Sequence, residues 1–202
     1  LRRNRGGFGV ADHDKEVKSR ASSGWELLKT RNFALLFSGQ VVSQIGDGMN
    51  KVALLWFVYE LTGSAFKMTL IGLLQTIPPL IFSPLIGVYL DRMRKKPVMI
   101  WVDLIRTGSV MLIPLLYAMD ALTLEWLYVL VFLTSIVSTV FGPALASAVP
   151  LLVSRTQLTG ANALIQSTTN IGLLIGPAVS GVGIAMIGAQ NVLYLDAATF
   201  LI

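Results

Sequence analysis

Long stretches without a single charged residue constrain this 202-residue chain more than any other feature of its sequence. No Asp, Glu, Lys or Arg occurs in residues 68–90, 126–154 or 156–195, which are 23, 29 and 40 residues long. Because an α-helix needs roughly 20 apolar residues to cross the hydrocarbon core of a bilayer, each stretch can hold at least one crossing. The pattern therefore predicts a polytopic membrane protein and excludes a soluble enzyme domain or a disordered chain.

The composition limits the chemistry that the chain can carry. Charged residues make up 13% of it, against about 25% in ordinary soluble domains. There is no cysteine, which excludes disulfides and thiolate metal sites, and the single histidine, His13, lies in a charged amino-terminal tail. We therefore expect no enzyme activity, no metal site and no cofactor. The formal net charge of +5 follows membrane topology rather than nucleic-acid binding.

A basic tail at residues 1–31 precedes six apolar segments. The segments cover about 33–61, 67–90, 98–118, 125–150, 161–186 and 192–202. Their connections are short and contain the turn-forming residues Thr62-Gly63-Ser64, Asp120 and Gly188. Helices satisfy their backbone hydrogen bonds internally, and alternating strands of about ten residues are absent, so we predict an all-α, six-helix transmembrane bundle over residues 32–202. Because the chain starts at Leu1 and stops inside the sixth segment, we expect a fragment whose last helix is truncated.

The distribution of Lys and Arg predicts the orientation of these segments. Thirteen of the 16 basic residues lie in the tail and in the loops at 91–97 and 151–160, whereas the opposite loops contain only Lys67. Basic residues accumulate on the cytoplasmic side of membrane proteins. We therefore expect the amino terminus and both basic loops to be cytoplasmic.

The first segment carries a polar stripe where apolar side chains are expected. Gln40, Gln44, Asp47 and Lys51 are spaced by four, three and four residues, which places them on one face of a helix. A charge at the centre of a bilayer costs about 2.5–3.5 kcal/mol, so this face must point toward other helices or a water-filled cavity. Two interpretations stay open. The stripe is a substrate or proton pathway, or Asp47 and Lys51 form a pair within the helix that only fixes its packing.

The third segment contains a further charge pair, Asp103 and Arg106, three residues apart on one helix face. Both lie roughly 8–12 Å from the cytoplasmic end of the segment, a depth from which arginine can reach the interface. A structural ion pair and a role in transport are equally compatible with this placement.

The loop between the second and third segments contains the most specific motif. A glycine precedes an Asp-Arg dipeptide by four residues. Membrane topology explains why Lys and Arg residues follow the dipeptide, but it does not explain this glycine. The stretch resembles the signature of the major facilitator superfamily, G-x-x-x-D-R-x-G-x-R/K-R/K, with Arg94 in place of the second glycine and Pro97 in place of the last base. The matching residues are Gly87, Asp91, Arg92 and Lys96.

The fifth segment resembles the antiporter motif of the same superfamily, G-x-x-x-G-P-x-x-G-G. The matching residues are Gly172, Gly176, Pro177 and Gly181, with Ser180 in place of one glycine. Small residues at this spacing also permit ordinary close packing of helices. Three further stretches, Gln40–Asp47, Phe141–Ala144 and Leu158–Leu164, resemble the branch of the superfamily that contains macrolide-efflux and enterobactin-exporter proteins.

The resemblance implies the first half of a twelve-helix transporter in a bacterial plasma membrane, with the substrate between two six-helix halves that open alternately to each side. In the family, the residues that match Asp91 and Arg92 make gating contacts that hold the outward-open state. The antiporter motif accompanies export driven by inward proton flow. The implied partners are the lipid bilayer, a small amphipathic substrate, protons and the carboxy-terminal half of the same protein, without nucleic acid.

Other classes of function are less compatible with the sequence. A serine protease within the membrane would need a histidine there. A channel or receptor would leave both motifs unexplained, and no G-x-x-x-x-G-K-S/T loop is present to bind ATP. Uptake of a nutrient or lipid by a carrier of the same fold is the main alternative to efflux.

The orientation can be tested by thiol labelling. We expect Ala121→Cys to react with a membrane-impermeant thiol reagent added outside the cell, because residue 121 lies in a non-basic loop. Thr156→Cys should be protected until the membrane is opened, and the protein without either substitution provides the background. The reverse labelling pattern would overturn the orientation.

Overall fold

The computed structural model describes residues 26–90 and 93–199, and this part of the chain contains helices and no strand. The helices that lie entirely within it are α1 (Arg31–Thr62), α2 (Ala65–Leu90), α3 (Lys95–Ala118), α4 (Leu124–Ala148), α5 (Leu158–Ile187) and α6 (Ala189–Thr199). Two short 3₁₀ turns, Val149–Leu151 and Arg155–Gln157, connect α4 to α5. The prediction of an all-α membrane fold is confirmed.

Three connections each contain one residue with a positive φ angle. Gly63 has a φ of 61°, and its N–H donates a hydrogen bond of 2.8 Å to the carbonyl oxygen of Tyr59, which ends α1. Asp120 follows α3 with a φ of 55°, and Gly188 separates α5 from α6 with a φ of 83°. Glycine adopts this left-handed region without steric cost, and aspartate tolerates it better than most residues. The chain can therefore reverse within a few residues and place consecutive helices side by side.

Four helical stretches of the described residues are long and apolar enough to cross a membrane. They are Ala65–Gly87, Lys96–Ala118, Leu124–Leu151 and Arg155–Ile187. Their surfaces present large apolar side chains, among them Leu80, Trp101, Leu174 and Met186, which are 65–78% exposed. Water would make such surfaces unfavourable, whereas lipid tails match them. The chain is therefore a multi-pass membrane protein.

Helix α1 differs from these four because it combines length with polarity. Its 32 residues span about 48 Å, which exceeds the thickness of the hydrocarbon core. The polar stripe lowers its apolar character, so it is not among the four apolar stretches. Instead α1 packs against α2, α5 and α6, which bury one part of its surface, while residues such as Leu35 and Trp56 stay exposed.

The contact between α1 and α5 is the most extensive in the described bundle, and it depends on glycines. A Cβ atom at Gly176 would lie 2.6 Å from the Cα of Gly48 and 2.8 Å from the carbonyl oxygen of Ile45. A Cβ at Gly172 would lie 2.8 Å from the Cβ of Gln44. Such distances are too short for real atoms, so only glycine allows the two backbones to touch.

Ser180 completes this contact, because its buried hydroxyl donates a hydrogen bond of 3.0 Å to the carbonyl oxygen of Met49. Gly181 lies outside it, since a Cβ there would meet nothing within 4 Å. Close packing of helices thus accounts for the small residues at 172, 176 and 180, as one of the two interpretations of that motif expects.

The apolar core has two main clusters that lie toward opposite ends of the bundle. The larger surrounds the carboxy-terminal half of α1, where Phe57 also meets Tyr117 edge-on at 5.1 Å between ring centroids. The smaller joins the start of α1 and α5 to the end of α4, with Phe33, Leu145 and Ala161 buried at its centre. The polar stripe of α1 lies between these clusters.

Two matched substitutions test the glycine contact. Gly176→Ala should lower the thermal unfolding temperature of the protein in detergent, because the added methyl group forces α1 and α5 apart. Gly181→Ala adds the same atom to the same helix in open space and should leave that temperature unchanged or slightly raised. Equal effects of the two substitutions would contradict the close approach.

Candidate functional site

A cavity of about 820 Å³ opens among α1, α2, α3, α4 and α5. Its size lies in the range of pockets that hold drug-sized ligands, about 300–1,000 Å³. Its wall mixes apolar side chains with many polar ones. The polar residues are Gln40, Gln44, Asp47, Asn50, Lys51, Gln75, Thr76, Arg106, Thr134, Ser135, Ser138, Thr139, Asn162, Gln166 and Thr169.

The four residues that the sequence placed on one face of the first segment all line this cavity. Gln40 is buried, Gln44 and Asp47 are half-buried, and Lys51 is exposed. Asn50, which the sequence analysis did not single out, extends the polar surface of α1. The structure thus brings the predicted stripe to the wall of a cavity rather than to lipid.

An ion pair joins α1 to α3 at the wall of the cavity. The carboxylate of Asp47 binds the guanidinium of Arg106, whose side chain is only 5% exposed, while that of Asp47 is 26% exposed. A buried guanidinium requires a counter-charge, because leaving it alone in an apolar interior is strongly unfavourable. The ion pair supplies this counter-charge across two helices.

The interpretation that Asp47 pairs with Lys51 within the helix is wrong. Asp47 pairs with Arg106, and Lys51 makes no ion pair with any residue that the structure describes. The physical reason is the difference in burial. The exposed ammonium of Lys51 lies at the open cavity and needs no protein partner, whereas the buried guanidinium of Arg106 does.

The predicted pair of Asp103 and Arg106 exists as a second, longer contact. Asp103 Oδ1 lies 3.9 Å from Arg106 Nη1, one turn away on α3. Arg106 is therefore shared between carboxylates of α1 and α3. The sequence identified the contact within α3 but not the closer one to α1, which depends on how the two helices pack.

Asp196 of α6 is, like Asn50, a residue near this site that the sequence patterns do not predict. It is fully buried, and its Oδ2 accepts a hydrogen bond of 2.6 Å from the side-chain amide of Asn50. A Cβ atom at Gly46 would lie 2.6 Å from Asp196 Oδ1, so this glycine lets α6 approach α1 beside Asp47. One feature of the sequence could have identified Asp196: it is the only charged residue after Arg155.

The remaining predicted residues lie apart from this cavity. Gly87 is half-buried near the end of α2, and Lys96 is exposed at the start of α3. Asp91 and Arg92 lie outside the described residues, so the gating role of this loop stays a prediction. Pro177 is half-buried within α5.

Comparison with known protein families identifies the family to which the chain belongs. The sequence model of the transmembrane secretion effector family, part of the major facilitator superfamily, matches residues 22–202. The chain belongs to this family. Membership agrees with the helical membrane fold and with the resemblance at the α2–α3 loop and in α5.

Several bacterial members of the superfamily are similar to the chain. Macrolide efflux protein A of Streptococcus pyogenes is 35% identical over 158 residues, which are 77% of this chain and 38% of that protein. The multidrug efflux pump Tap of Mycolicibacterium fortuitum is 26% identical over 171 residues, which are 82% of this chain and 42% of the pump. The chain thus spans about two fifths of the length of these curated relatives. No solved structure matches it significantly.

The names of these relatives describe efflux proteins and not enzymes. This agrees with the prediction from the sequence that the chain is not an enzyme. Their bacterial origin agrees with the expected location in a bacterial cell membrane.

Substitutions in the ion pair should affect stability unequally. Arg106→Met should lower the free energy of unfolding by about 1.5–3 kcal/mol, because it leaves the half-buried carboxylates of Asp47 and Asp103 without their counter-charge. Asp47→Asn should cost less, because Arg106 keeps Asp103 as a partner. Unfolding of the full-length protein in detergent measures both effects.

Lys51→Met is the control for this comparison, since it removes a charge from α1 without breaking an ion pair among the described residues. It should change the free energy of unfolding by no more than about 0.5 kcal/mol. If Lys51→Met destabilises the protein as much as Arg106→Met, the ion pair with Asp47 is not the stabilising contact.

Proposed function

We propose that this chain is the amino-terminal half of a secondary active transporter that exports small amphipathic compounds in exchange for protons. The observation that carries the proposal is the polar cavity of about 820 Å³ with an Asp47–Arg106 ion pair in its wall. An ionisable pair within a membrane protein is costly and marks a substrate or ion pathway. Family membership and the names of the relatives support transport out of the cell.

The lining of the cavity favours an amphipathic substrate. Amide and hydroxyl groups from α1, α4 and α5 offer hydrogen bonds, while Leu54, Val110 and Phe141 offer apolar contact. Both signs of charge are present, since Asp47 and Lys51 line the same wall. A compound with an apolar body and a few polar groups would satisfy such a wall, and we infer that the other half of the protein completes it.

Proton coupling is assigned to Asp47. Its carboxylate lines the cavity and is partly exposed, so water in the cavity can deliver a proton to it. Protonation would remove its negative charge and weaken its attraction for Arg106. A protein whose two conformations differ in this ion pair would then shift between them as protons bind and leave, which is what alternating access requires.

The membrane orientation in this proposal follows from the distribution of Lys and Arg, and the roles of the two motifs follow from the family resemblance. Residues 1–31 form a cytoplasmic tail, and residues 32–202 contribute six transmembrane segments. The loop of Gly87, Asp91, Arg92 and Lys96 gates the cytoplasmic side, and Gly172, Gly176, Pro177 and Gly181 form the antiporter-type segment of α5.

The direction and energy source can be tested in cells with a macrolide as the first compound, because a similar protein is named for macrolide efflux. Overexpression of the full-length protein should lower accumulation of the macrolide, and a protonophore should restore it. Higher accumulation on overexpression would favour uptake. Restoration by ATP depletion, with no effect of the protonophore, would contradict antiport.

The role of Asp47 is tested by Asp47→Asn in proteoliposomes that contain the full-length protein. The substitution keeps the size of the side chain and removes its titration, so substrate-induced proton movement should be lost while the protein stays folded. Glu60→Gln, at the exposed end of the same helix, should keep the wild-type ratio of protons to substrate. If Asp47→Asn also keeps that ratio, Asp47 is a structural residue.

A further inference from the structure

Helix α4 contributes only hydroxyl groups to the polar part of the cavity wall. Together they form a surface that we call the hydroxyl face, which consists of Thr134, Ser135, Ser138 and Thr139. These residues lie on one side of the helix, over roughly 7.5 Å of its length. The other side chains with which α4 lines the cavity, such as Val131, Phe141 and Leu145, are apolar. The hydroxyl face therefore decides which polar groups α4 can bind.

Each hydroxyl of this face already donates its hydrogen to the backbone of α4. Thr134 donates to the carbonyl oxygen of Leu130 at 2.7 Å. Ser135, Ser138 and Thr139 likewise donate to the carbonyl oxygens four residues before them, at 2.8, 2.8 and 2.9 Å. A hydroxyl has one hydrogen but two lone pairs, so it can still accept a hydrogen bond. To donate to a ligand it would first have to break the bond to its own helix, which costs free energy.

The lone pairs of these oxygens are not used within the described part of the chain. No group of the described residues donates a hydrogen bond to the hydroxyl face. Helix α4 packs mainly against α2 and α3, whereas α1 packs mainly against α2, α5 and α6, so the cavity lies between the hydroxyl face and the polar stripe of α1. The face therefore presents hydrogen-bond acceptors to a molecule in the cavity.

Gln40 on α1 indicates independently that the cavity is suited to a hydrogen-bonding ligand. Only 5% of this residue is exposed, and it lines the cavity. Its side-chain amide makes no hydrogen bond with any residue that the structure describes. A buried amide without a partner is unfavourable unless a ligand or water satisfies it. A ligand with polar groups would therefore be favoured in this part of the cavity over a purely apolar one.

We propose that the hydroxyl face selects substrates by accepting hydrogen bonds from N–H or O–H groups, so that the exported compounds carry a protonated amine or hydroxyl groups beside an apolar body. This inference rests on the proposed export of amphipathic compounds and adds the kind of polar group that is recognised. A quaternary ammonium or an ether has no hydrogen to donate and gains no hydrogen bond from these oxygens. The amides of the other walls do not discriminate in this way, because an amide both donates and accepts.

Binding of erythromycin and two derivatives to the purified full-length protein in lipid nanodiscs tests this selection. Erythromycin is a macrolide with a protonated dimethylamino group and several hydroxyl groups. N-methylation gives a quaternary ammonium, which keeps the charge and loses the N–H, and O-methylation removes an O–H. The wild-type protein should bind the derivative without the recognised donor about three- to tenfold more weakly than erythromycin, which is the effect of one hydrogen bond. Weaker binding of the N-methyl derivative identifies the amine as that donor, and weaker binding of the O-methyl derivative identifies a hydroxyl.

Substitutions of the four residues, one at a time, locate the accepting oxygen. Thr134→Val, Ser135→Ala, Ser138→Ala and Thr139→Val each remove an acceptor and add no bulk. At least one of them should weaken the binding of erythromycin by the same factor and leave the binding of the weaker derivative unchanged, because one hydrogen bond cannot be lost twice. Thr69→Val is the matched control, since Thr69 donates to the carbonyl oxygen of Ala65 at 2.9 Å in the same way but is exposed and does not line the cavity. It should change neither affinity.

Equal binding of erythromycin and both derivatives by the wild-type protein would overturn the inference, and so would unchanged binding in all four variants or no binding of any of the three compounds. The binding measurement needs no proton gradient, which separates this inference from the proposed function. If overexpression lowers the accumulation of erythromycin while all four variants bind it normally, only the role of the hydroxyl face fails. If the binding results hold while overexpression does not lower accumulation, the proposed export fails and the recognition of donors stands.

Discussion

The ion pair between Asp47 and Arg106 is the interaction on which the rest of this structure depends. A guanidinium that is 5% exposed inside a membrane protein must have a counter-charge, and the nearest carboxylate belongs to a different helix. The pair therefore links α1 directly to α3, two helices that both pack against α6. It also places a carboxylate at the cavity wall, where water and substrate can reach it.

The close packing around α1 makes this pair possible. Gly48 meets Gly172 and Gly176 of α5, and Gly46 meets Asp196 of α6, so two helices touch the backbone of α1 within a single turn. With neighbours on these sides, the polar stripe of α1 is directed to the cavity. The small residues of α5 thus have a clear structural role, and their similarity to an antiporter motif adds the hypothesis that the same contact participates in transport.

The sequence predicted the helical membrane class because long charge-free stretches have few alternatives in a bilayer. It also predicted that the face of Gln40, Gln44, Asp47 and Lys51 avoids lipid, since periodicity and the cost of a buried charge are local arguments. It did not predict the partner of Asp47. Pairing across helices depends on tertiary packing, so the residue one turn away, Lys51, was the obvious but wrong candidate. The role of Asp196 was not predicted for the same reason, because its spatial neighbours Asn50 and Gly46 are 146 and 150 positions away in the sequence.

A double-mutant cycle on Asp47 and Arg106 tests the central claim most directly. The free energy of unfolding would be measured for the wild-type protein, Asp47→Asn, Arg106→Met and the double variant. If the two side chains form the pair that organises the site, their coupling free energy should be about 1–3 kcal/mol, and the double variant should be more stable than the sum of the single losses predicts. Additive losses would show that the two residues act independently and would contradict the account.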